Sequence, residues 1–370
     1  AELPKDGGRF DLPLALGILA ANGAIDPQAL NDYEFIGELA LTGELRAIDG
    51  VLPAALAAKQ AGRRMIVPLG NAAEAGLARG EHLYTARTLM EVVHHLRGER
   101  PLPKAAGAFD FIDAPMPDMA DVRGQHSARR AMEIAAAGGH HMLLIGSPGC
   151  GKTLLASRLP GILPPASDEE AIESAAIASV SGKGLDLTRF RQRPFRSPHH
   201  TSSAVALAGG GTQPKPGEIS LAHQGVLFLD ELAEWDRKSL EVLRQPLESG
   251  TVSISRAATS AEFPARFQLV AAMNPCPCGW FGDSSGRCRC NPDAIERYRG
   301  KLSGPLLDRI DIHLAMTRLS HEELHLNAPL GEPSSVIRQR VIAARALQMQ
   351  RSGVSNAHLS QADLKTHCQL

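Results

Sequence analysis

The chain has 370 residues, a formal net charge of −1 at pH 7, 21% charged residues and 4% aromatic residues. This length allows two domains whose cores are stable without cross-links, and the composition excludes an intrinsically disordered chain. The balanced charge excludes a global positive field, so any DNA contact must be local, and without a signal peptide or an apolar run near 18 residues we expect a cytoplasmic protein with no membrane partner.

Residues 1–100 are predicted to form a separate, small α/β domain. Their pattern mixes short helical segments with strand-like runs such as Arg64-Met-Ile-Val67, which stops before a proline. The segments Pro4-Lys-Asp-Gly-Gly-Arg-Phe-Asp11 and Leu41-Thr-Gly-Glu-Leu45, with the stretch 51–62 behind them, resemble the proteolytic domain of the Lon proteases.

The Lon resemblance implies a domain that has lost proteolysis. Lon is a serine–lysine protease, and in an ungapped match its nucleophile falls on Arg9 and its base on Leu52. Without a nucleophile or an amine base no acyl-enzyme can form. We therefore expect an inactive, partial Lon-protease-like domain that serves assembly or DNA binding. Its opening strands are expected to be missing, since the chain starts at Ala1 without methionine.

Residues 101–117 are predicted to be a linker, since prolines punctuate them at positions 101, 103, 115 and 117. Residues 118–318 then alternate strands with helices, as a parallel doubly wound sheet requires. The overall prediction is an α/β fold: a P-loop NTPase core, the small N-terminal domain, and helices after residue 318.

A phosphate-binding loop is predicted where the apolar run Met142–Ile145 is followed by the pattern G-x-x-x-x-G-K-[ST]. Glycines let backbone N–H groups surround the phosphates of ATP, Lys152 reaches the outer phosphates, and Thr153 binds Mg²⁺. A chance glycine-rich turn is the alternative, which the preceding strand disfavours. The predicted nucleotide contacts are Gly146, Ser147, Pro148, Gly149, Cys150, Gly151, Lys152, Thr153 and Leu154.

Two further apolar strands end in polar residues that suit ATP hydrolysis. The strand Gly225–Leu229 precedes Asp230, predicted to hold the Mg²⁺, and Glu231, predicted to act as general base on the attacking water. A buried strand with a solvated acidic end is the alternative. The strand Phe267–Met273 precedes Asn274, which can orient that water and resembles the sensor 1 position of AAA+ ATPases.

Four of the six cysteines lie close together, at Cys276, Cys278, Cys288 and Cys290. In a cytosolic protein this clustering favours a metal over a disulfide, and four thiolates on two short turns can enclose Zn²⁺ tetrahedrally. Each turn is C-x-C rather than C-x-x-C, so reduced thiols or a redox pair stay open as alternatives. Cys150, inside the phosphate loop, is expected to fill space rather than to sense redox changes.

The segment 183–200 is basic, with Lys183, Arg189, Arg191, Arg193 and Arg196 against Asp186 alone, and Gly209-Gly-Gly211 follows it. A basic, flexible insert suits contact with the DNA backbone, which makes Arg193 and Arg196 DNA candidates. Arginine-rich loops are also often solvated or bridge subunits. His199 and His200 could bind phosphate or nucleotide, or be structural histidines.

The order of these motifs resembles the magnesium-chelatase-like AAA+ ATPases, in particular the ComM/YifB group. The most specific strings are Phe195-Arg-Ser-Pro-His-His-Thr201, Asn274-Pro-Cys-Pro-Cys-Gly279 and Gly304-Pro-Leu-Leu-Asp-Arg-Ile-Asp311, and the resemblance covers nearly the whole chain.

The resemblance assigns roles to further residues. It makes Arg309 the arginine finger, which reaches the γ-phosphate bound by the neighbouring subunit and requires a ring. Arg297 and Arg299 are nearby rivals, and a solvated surface arginine is the alternative. The run 251–256 resembles the family's presensor hairpin, which makes Arg256 a DNA candidate. Residues 319–370 would begin a helical lid that is cut short, since we find no sensor 2 arginine.

The family implies a hexameric ring motor that acts on single-stranded or branched DNA, and the group implies a branch-migration helicase in natural transformation and homologous recombination. A magnesium-chelatase-type motor that remodels a protein or tetrapyrrole complex is the second hypothesis. A scaffold in which ATP only closes a ring is the third. Translocation polarity, the preferred DNA structure and the ring size do not follow from the sequence.

Overall fold

The computed structural model describes residues 8–105, 115–211, 214–255, 260–320 and 330–368. It divides into two compact units, residues 1–113 with 175–190 and residues 114–174 with 191–370. The first division falls between residues 113 and 114, and the predicted domain boundaries stay a prediction. Residues 175–190, predicted as part of the ATPase core, instead belong to the first unit.

The first unit is built on a parallel three-stranded sheet in the order β1-β4-β5. Its elements are α1 (Asp11–Ala21), β1 (Tyr33–Phe35), β2 (Glu38–Leu39), β3 (Leu45–Arg46), α2 (Val51–Gln60), β4 (Arg64–Pro68), α3 (Ala72–Gly76), β5 (Leu83–Ala86) and α4 (Leu89–Leu96). Strand β4 is buried from Met65 to Pro68, as expected for the central strand of a parallel sheet.

Residues 101–105, predicted as the start of the linker, pack along β5. The N–H of Thr85 donates to the carbonyl of Pro103 at 2.9 Å, and the N–H of Ala105 donates to the carbonyl of Leu83 at 3.0 Å. Leu102 is buried against the core of the first unit. A run of prolines lacks N–H donors but keeps its carbonyl acceptors, so it can still border a strand.

The second unit is built on a parallel five-stranded sheet in the order β14-β6-β13-β10-β7. Its strands are β6 (Met142–Gly146), β7 (Phe195–Arg196), β8 (Gly209–Gly210), β9 (Lys215–Pro216), β10 (Val226–Leu229), β11 (Thr251–Ser255), β12 (Ser260–Pro264), β13 (Gln268–Met273) and β14 (Ile312–Met316). Its helices are α5 (His126–Gly138), α6 (Lys152–Ala156), α7 (Leu159–Ile162), α8 (Asp168–Val180), whose last turns belong to the first unit, α9 (Ala204–Ala208), α10 (Glu218–Leu221), α11 (Arg237–Glu241), α12 (Arg244–Ser249), α13 (Pro292–Arg299), α14 (Gly304–Leu307), α15 (Ser334–Ser352) and α16 (Gln361–His367).

Two apolar cores cover the two faces of this sheet. Met142 and Leu144 of β6 belong to one core, and Leu143 belongs to the other. Alternate residues of a strand point to opposite faces, so helices must cover both sides. This confirms the predicted α/β architecture of a P-loop core with a parallel sheet flanked by helices.

The carboxyl ends of three adjacent strands carry the predicted catalytic residues. The phosphate loop follows β6, Asn274 follows β13, and Asp230 follows β10. Ligands of open α/β sheets bind outside this edge. The strand order therefore brings the three motifs together.

Helices follow the core, as the sequence predicts. Helix α15 packs on α5 and α7, and it ends at Gly353, whose φ is 70°. Arg340 of α15 forms ion pairs with Glu133 of α5 and with Glu332. Within the part of the chain that the structure describes, we find no helix with the length and apolarity needed to span a membrane.

Candidate nucleotide site

The phosphate loop is folded around the side chain of Lys152. Its ammonium donates to the carbonyl oxygens of Gly146 at 2.6 Å and Ser147 at 3.2 Å, and Lys152 is 9% exposed. Gly149 and Gly151 have φ angles of 78° and 94°, which side chains disfavour. Helix α6 starts at Lys152, so its N-terminus points to the loop.

Thr153 and Asp230 meet directly. The Thr153 hydroxyl donates to a carboxylate oxygen of Asp230 at 2.6 Å. Both residues were predicted as magnesium ligands, and the structure brings together a hydroxyl and a carboxylate, oxygen ligands that suit Mg²⁺. Their side chains fit the predicted ion.

Glu231 contacts His200, which the sequence analysis left open as a phosphate or nucleotide contact or a structural histidine. A carboxylate oxygen of Glu231 lies 3.0 Å from Nδ1 of His200. The backbone of Glu231 has a φ of 51°, a left-handed conformation that is uncommon for a residue with a side chain. His200 therefore contacts the predicted general base, and the ring of His199 lies against that of His200 with centroids 4.2 Å apart and planes tilted by 33°.

Asn274 reaches the same site from the next strand. Its side-chain oxygen accepts a hydrogen bond from the Lys152 ammonium at 3.2 Å. A polar residue that contacts the phosphate-binding lysine lies where it can sense the outer phosphate and orient a water molecule. The structure thus groups Lys152, Thr153, Asp230 and Asn274.

Gln125 is a site residue that the sequence analysis missed. Its amide donates to the carbonyl of Cys150 in the phosphate loop at 3.0 Å and to the carbonyl of Thr317 at 2.7 Å. Its φ is 46°, so the backbone is strained where helix α5 begins. The only sequence signal was a glutamine before a helix, and its partners lie 25 and 192 positions away.

Cys150 is buried beneath the loop. Its sulfur lies 4.0 Å from the Lys152 ammonium, and burial raises the pKa of its thiol. A raised thiol pKa lowers the fraction of the reactive thiolate at neutral pH. These observations agree with the predicted space-filling role.

The four predicted metal ligands converge. The sulfur atoms of Cys276, Cys278, Cys288 and Cys290 all lie within 4.8 Å of one another. Three of the pairs are 3.4 Å, 3.7 Å and 3.9 Å apart. A zinc tetrahedron with Zn–S bonds of 2.3 Å has edges of about 3.8 Å, so the sulfur positions fit that ion.

One of these thiols is activated by the backbone. Hydrogen bonds from the backbone N–H groups of Arg289 and Trp280 lower the pKa of Cys278 to about 6. The thiolate is the form that ligates a metal. The fold around the cysteines therefore favours the ligating state of Cys278.

The cysteine insert, residues 276–290, rests on the phosphate loop. Ser147 donates to the Asp283 carboxylate at 3.2 Å. Gly279 faces the ring of Pro148, and a Cβ on Gly279 would lie 2.8 Å from that ring. The cysteine insert thus supports the phosphate loop.

Arg309 is half-buried and already paired. Its guanidinium donates to the carbonyl of Pro305 at 2.7 Å and forms an ion pair with Glu248. The rivals are engaged elsewhere: Arg297 bonds to the carbonyl of Asp293, and Arg299 bonds to the carbonyl of Pro275. The role of Arg309 toward a neighbouring subunit stays a prediction.

The basic segment is neutralised by nearby carboxylates. Arg193 is 9% exposed in its side chain, and it bonds to the carbonyls of Pro164 and Gln224 and to Glu170. Arg196 forms two hydrogen bonds with Glu218. The other pairs are Arg189 with Asp186 and Arg191 with Asp168. DNA contact by Arg193 or Arg196 stays a prediction, and each would first have to leave its carboxylate.

The predicted hairpin is present as β11 and β12, which pair antiparallel from Thr251 with Pro264 to Ser255 with Ser260. Arg256, its predicted DNA contact, lies outside the described residues. In the first unit, Leu52 is fully buried, and Arg9 supplies a guanidinium rather than a nucleophile. The Lon-like motif at residues 4–7 also lies outside the described residues.

Three family models match this chain. A model described as magnesium chelatase, subunit ChlI, matches residues 118–324, and a model described as subunit ChlI of Mg-chelatase matches residues 1–71. A model of the C-terminal part of the same subunit matches residues 331–370. The Lon resemblance of the first domain remains a prediction beside these matches.

Curated relatives are similar over the whole chain. Competence protein ComM of Haemophilus influenzae is 49% identical over 375 residues, which cover 100% of this chain and 73% of that protein. The YifB protein of Salmonella typhimurium is 47% identical over 370 residues, with the same coverage. An MCM-type protein of Methanocaldococcus jannaschii is 27% identical over 188 residues, half of this chain and 21% of that protein.

Proposed function

We propose a function from the premise that this chain belongs to the magnesium-chelatase-like AAA+ family, in the ComM/YifB group. The proposed activity is ATP hydrolysis that drives a ring, most simply a hexamer, along DNA. The proposed process is branch migration when incoming DNA is integrated during natural transformation and homologous recombination. Proteolysis is not part of it.

One observation carries the ATPase proposal: side chains from three separate segments meet at the phosphate loop. Lys152 contacts Asn274, and Thr153 contacts Asp230, beside Glu231. Thr153 and Asp230 would hold the Mg²⁺ of Mg-ATP, whose charge stabilises the phosphate oxygens. Glu231 would accept the proton of the attacking water, and Asn274 would orient that water. A scaffold that only binds ATP does not need the last two residues.

DNA is the proposed partner for two reasons. The relative from Haemophilus influenzae is named a competence protein, and DNA uptake is what competence denotes. The hairpin of β11 and β12 packs one side on the core of the second unit and leaves the other side exposed: Val252 and Ile254 are buried while Ser253 and Ser255 are exposed. Arg256, the next residue in the sequence, is the proposed contact, because a cation pairs with the phosphate backbone of DNA.

The decisive experiment measures ATP turnover with no DNA and with single-stranded, duplex or four-way-junction DNA. We expect DNA to stimulate turnover, and Lys152→Ala to abolish it at every DNA. Glu231→Gln should lower turnover by about 10²- to 10⁴-fold while ATP still binds, because it removes the general base.

Other outcomes would favour the other two hypotheses. Turnover that ignores every DNA would favour a motor that remodels a protein complex. A Glu231→Gln protein that hydrolyses no ATP but still supports transformation in cells would favour a nucleotide-gated scaffold.

We propose that the four cysteines bind a zinc ion. The sulfur distances fit a zinc tetrahedron, and the insert contacts the phosphate loop through Asp283 and Gly279. Metal analysis of the purified protein should give one zinc per chain, and Cys288→Ser should lower that content. Cys368→Ser changes an exposed cysteine outside the cluster and is the matched control. Full zinc content in Cys288→Ser, or none in the wild type, would contradict the proposal.

A further inference from the structure

Arg309 is restrained within its own chain by Glu248. The guanidinium Nη2 of Arg309 donates to a Glu248 carboxylate oxygen, while Nη1 donates to the carbonyl of Pro305 at 2.7 Å. These bonds engage both terminal nitrogens of the guanidinium. An arginine finger needs those nitrogens for the γ-phosphate of the neighbouring subunit. Arg309 must therefore leave Glu248 before it can act there.

Glu248 lies at the base of the hairpin. It is the fifth residue of α12 (Arg244–Ser249), and β11 begins three residues later at Thr251. The turn between them is firmly bonded: the Ser249 hydroxyl contacts Thr251, and the N–H of Ala265 donates to the carbonyl of Gly250 at 2.7 Å. A displacement of the hairpin would therefore reach Glu248.

A third bond joins the helix to the hairpin. The Gln245 amide donates to the Ser253 hydroxyl in the middle of β11 at 3.1 Å. Gly250, with a φ of 70°, packs under the side chain of Arg266, which follows β12. Helix α12 and both ends of the hairpin thus form one bonded assembly, with Glu248 as its contact to Arg309.

The ion pair is weak enough to be exchanged. The side chains of Arg309 and Glu248 are 29% and 51% exposed. An ion pair at this exposure is screened by solvent and contributes little to stability, so a competing charge on DNA or on a neighbouring phosphate can displace it. A deeply buried pair could not serve as a reversible restraint.

We propose that Glu248 is a positioning residue that restrains the arginine finger until DNA moves the hairpin. Without DNA, Glu248 holds Arg309 away from the neighbouring nucleotide. When DNA engages the hairpin, α12 shifts, Arg309 is released, and hydrolysis begins in the adjacent subunit. This inference rests on the proposed DNA-motor function and on Arg309 as the finger.

The first test compares ATP turnover of wild type and Glu248→Gln, with and without single-stranded DNA. We expect DNA-free turnover to rise about two- to fivefold, the range that one exposed ion pair can supply. Turnover with saturating DNA should stay unchanged. The ratio of turnover with DNA to turnover without DNA therefore falls by the same factor. Glu241→Gln is the matched control, because Glu241 forms an exposed ion pair with Arg244 that does not include Arg309. It should behave as wild type.

A mixing test places the effect in the subunit that supplies the finger. Lys152→Ala subunits supply a finger but cannot hydrolyse ATP themselves. Arg309→Ala subunits keep an intact nucleotide site but supply no finger. A mixed ring recovers turnover where a Lys152→Ala subunit supplies its finger to the nucleotide site of an Arg309→Ala subunit. Adding Glu248→Gln to the Lys152→Ala subunits should raise DNA-free turnover, and adding it to the Arg309→Ala subunits should change nothing. A purely structural role would show no such asymmetry.

Each result decides between the proposals. Unchanged turnover in Glu248→Gln, or an effect that persists in the Glu248→Gln/Arg309→Ala double variant, overturns the restraint alone. If DNA does not stimulate wild-type turnover and Arg309→Ala does not lower it, the motor and the restraint are overturned together. Thermal unfolding checks each variant, and Glu248→Asp, which keeps the charge on a shorter arm, replaces Glu248→Gln if that protein does not fold.

Discussion

Burial separates the roles of the arginines between residues 189 and 196. Arg193 is 9% exposed and bonds to three backbone carbonyls and to Glu170, whereas Arg191 is 49% exposed and pairs with Asp168. Both were equally basic in the sequence. A buried guanidinium satisfies acceptors that would otherwise lose their hydrogen bonds, so its first role is structural.

We predict that Arg193→Ala destabilises the protein much more than Arg191→Ala does. Loss of Arg193 leaves buried acceptors unpaired and should lower the free energy of unfolding by about 3 kcal/mol. Loss of Arg191 should cost at most about 1 kcal/mol. Chemical denaturation of both variants measures the difference, and equal stabilities would contradict the structural role.

The cysteine insert shows how one element supports another. Gly279 is pressed against Pro148 of the phosphate loop, and Asp283 accepts a hydrogen bond from Ser147. A phosphate loop must hold its N–H groups in place before ATP binds. The insert therefore helps to set the geometry of the loop, whatever occupies the four thiols.

Two glycines of this insert test that support. Gly279 and Gly282 have φ angles of 82° and 78°, and a Cβ would clash only at Gly279. Both alanine variants carry the same backbone strain, but Gly279→Ala also displaces Pro148. We expect Gly279→Ala to weaken ATP binding by about tenfold, or 1.4 kcal/mol. Gly282→Ala should bind ATP as wild type does in a fluorescent-nucleotide titration, and equal losses in both would contradict the support.

At the scale of the whole molecule, we expect the site of one chain to be completed by a neighbouring chain. Lys152, Thr153, Asp230 and Asn274 meet at one phosphate loop, while Arg309 pairs with Glu248. If Arg309 completes the site of a neighbour, activity belongs to the assembly rather than to the chain.

Turnover per chain should therefore rise with protein concentration and reach a plateau when rings are complete. Arg309→Ala should lower the plateau by about 10³-fold or more, the contribution of an arginine finger, while ATP binding is kept. Turnover measured across a dilution series, beside the sedimentation of the same samples, checks this. A specific activity that does not change with concentration while the assembly dissociates would contradict action between subunits.

The sequence by itself determined the parallel sheet, and it predicted the nucleotide-site residues that the fold brings together. Gly149, Gly151, Lys152 and Thr153 lie within five positions, and their backbone and side-chain chemistry follows from local order. The strands before Asp230 and Asn274 were likewise predicted from their apolar runs. The four cysteines were found in the same way, from residues close together in the chain.

Only the tertiary structure decided how these residues are held. Gln125 reaches Thr317 across 192 positions, Glu248 meets Arg309 across 61, and Ser179 joins Glu74 of the first unit across 105. Burial of Arg193 and the contact of His200 with Glu231 are likewise invisible in the spacing of residues. Local preference fixes backbone conformation, but partners distant in sequence are chosen by the packing of whole elements, which no short pattern encodes.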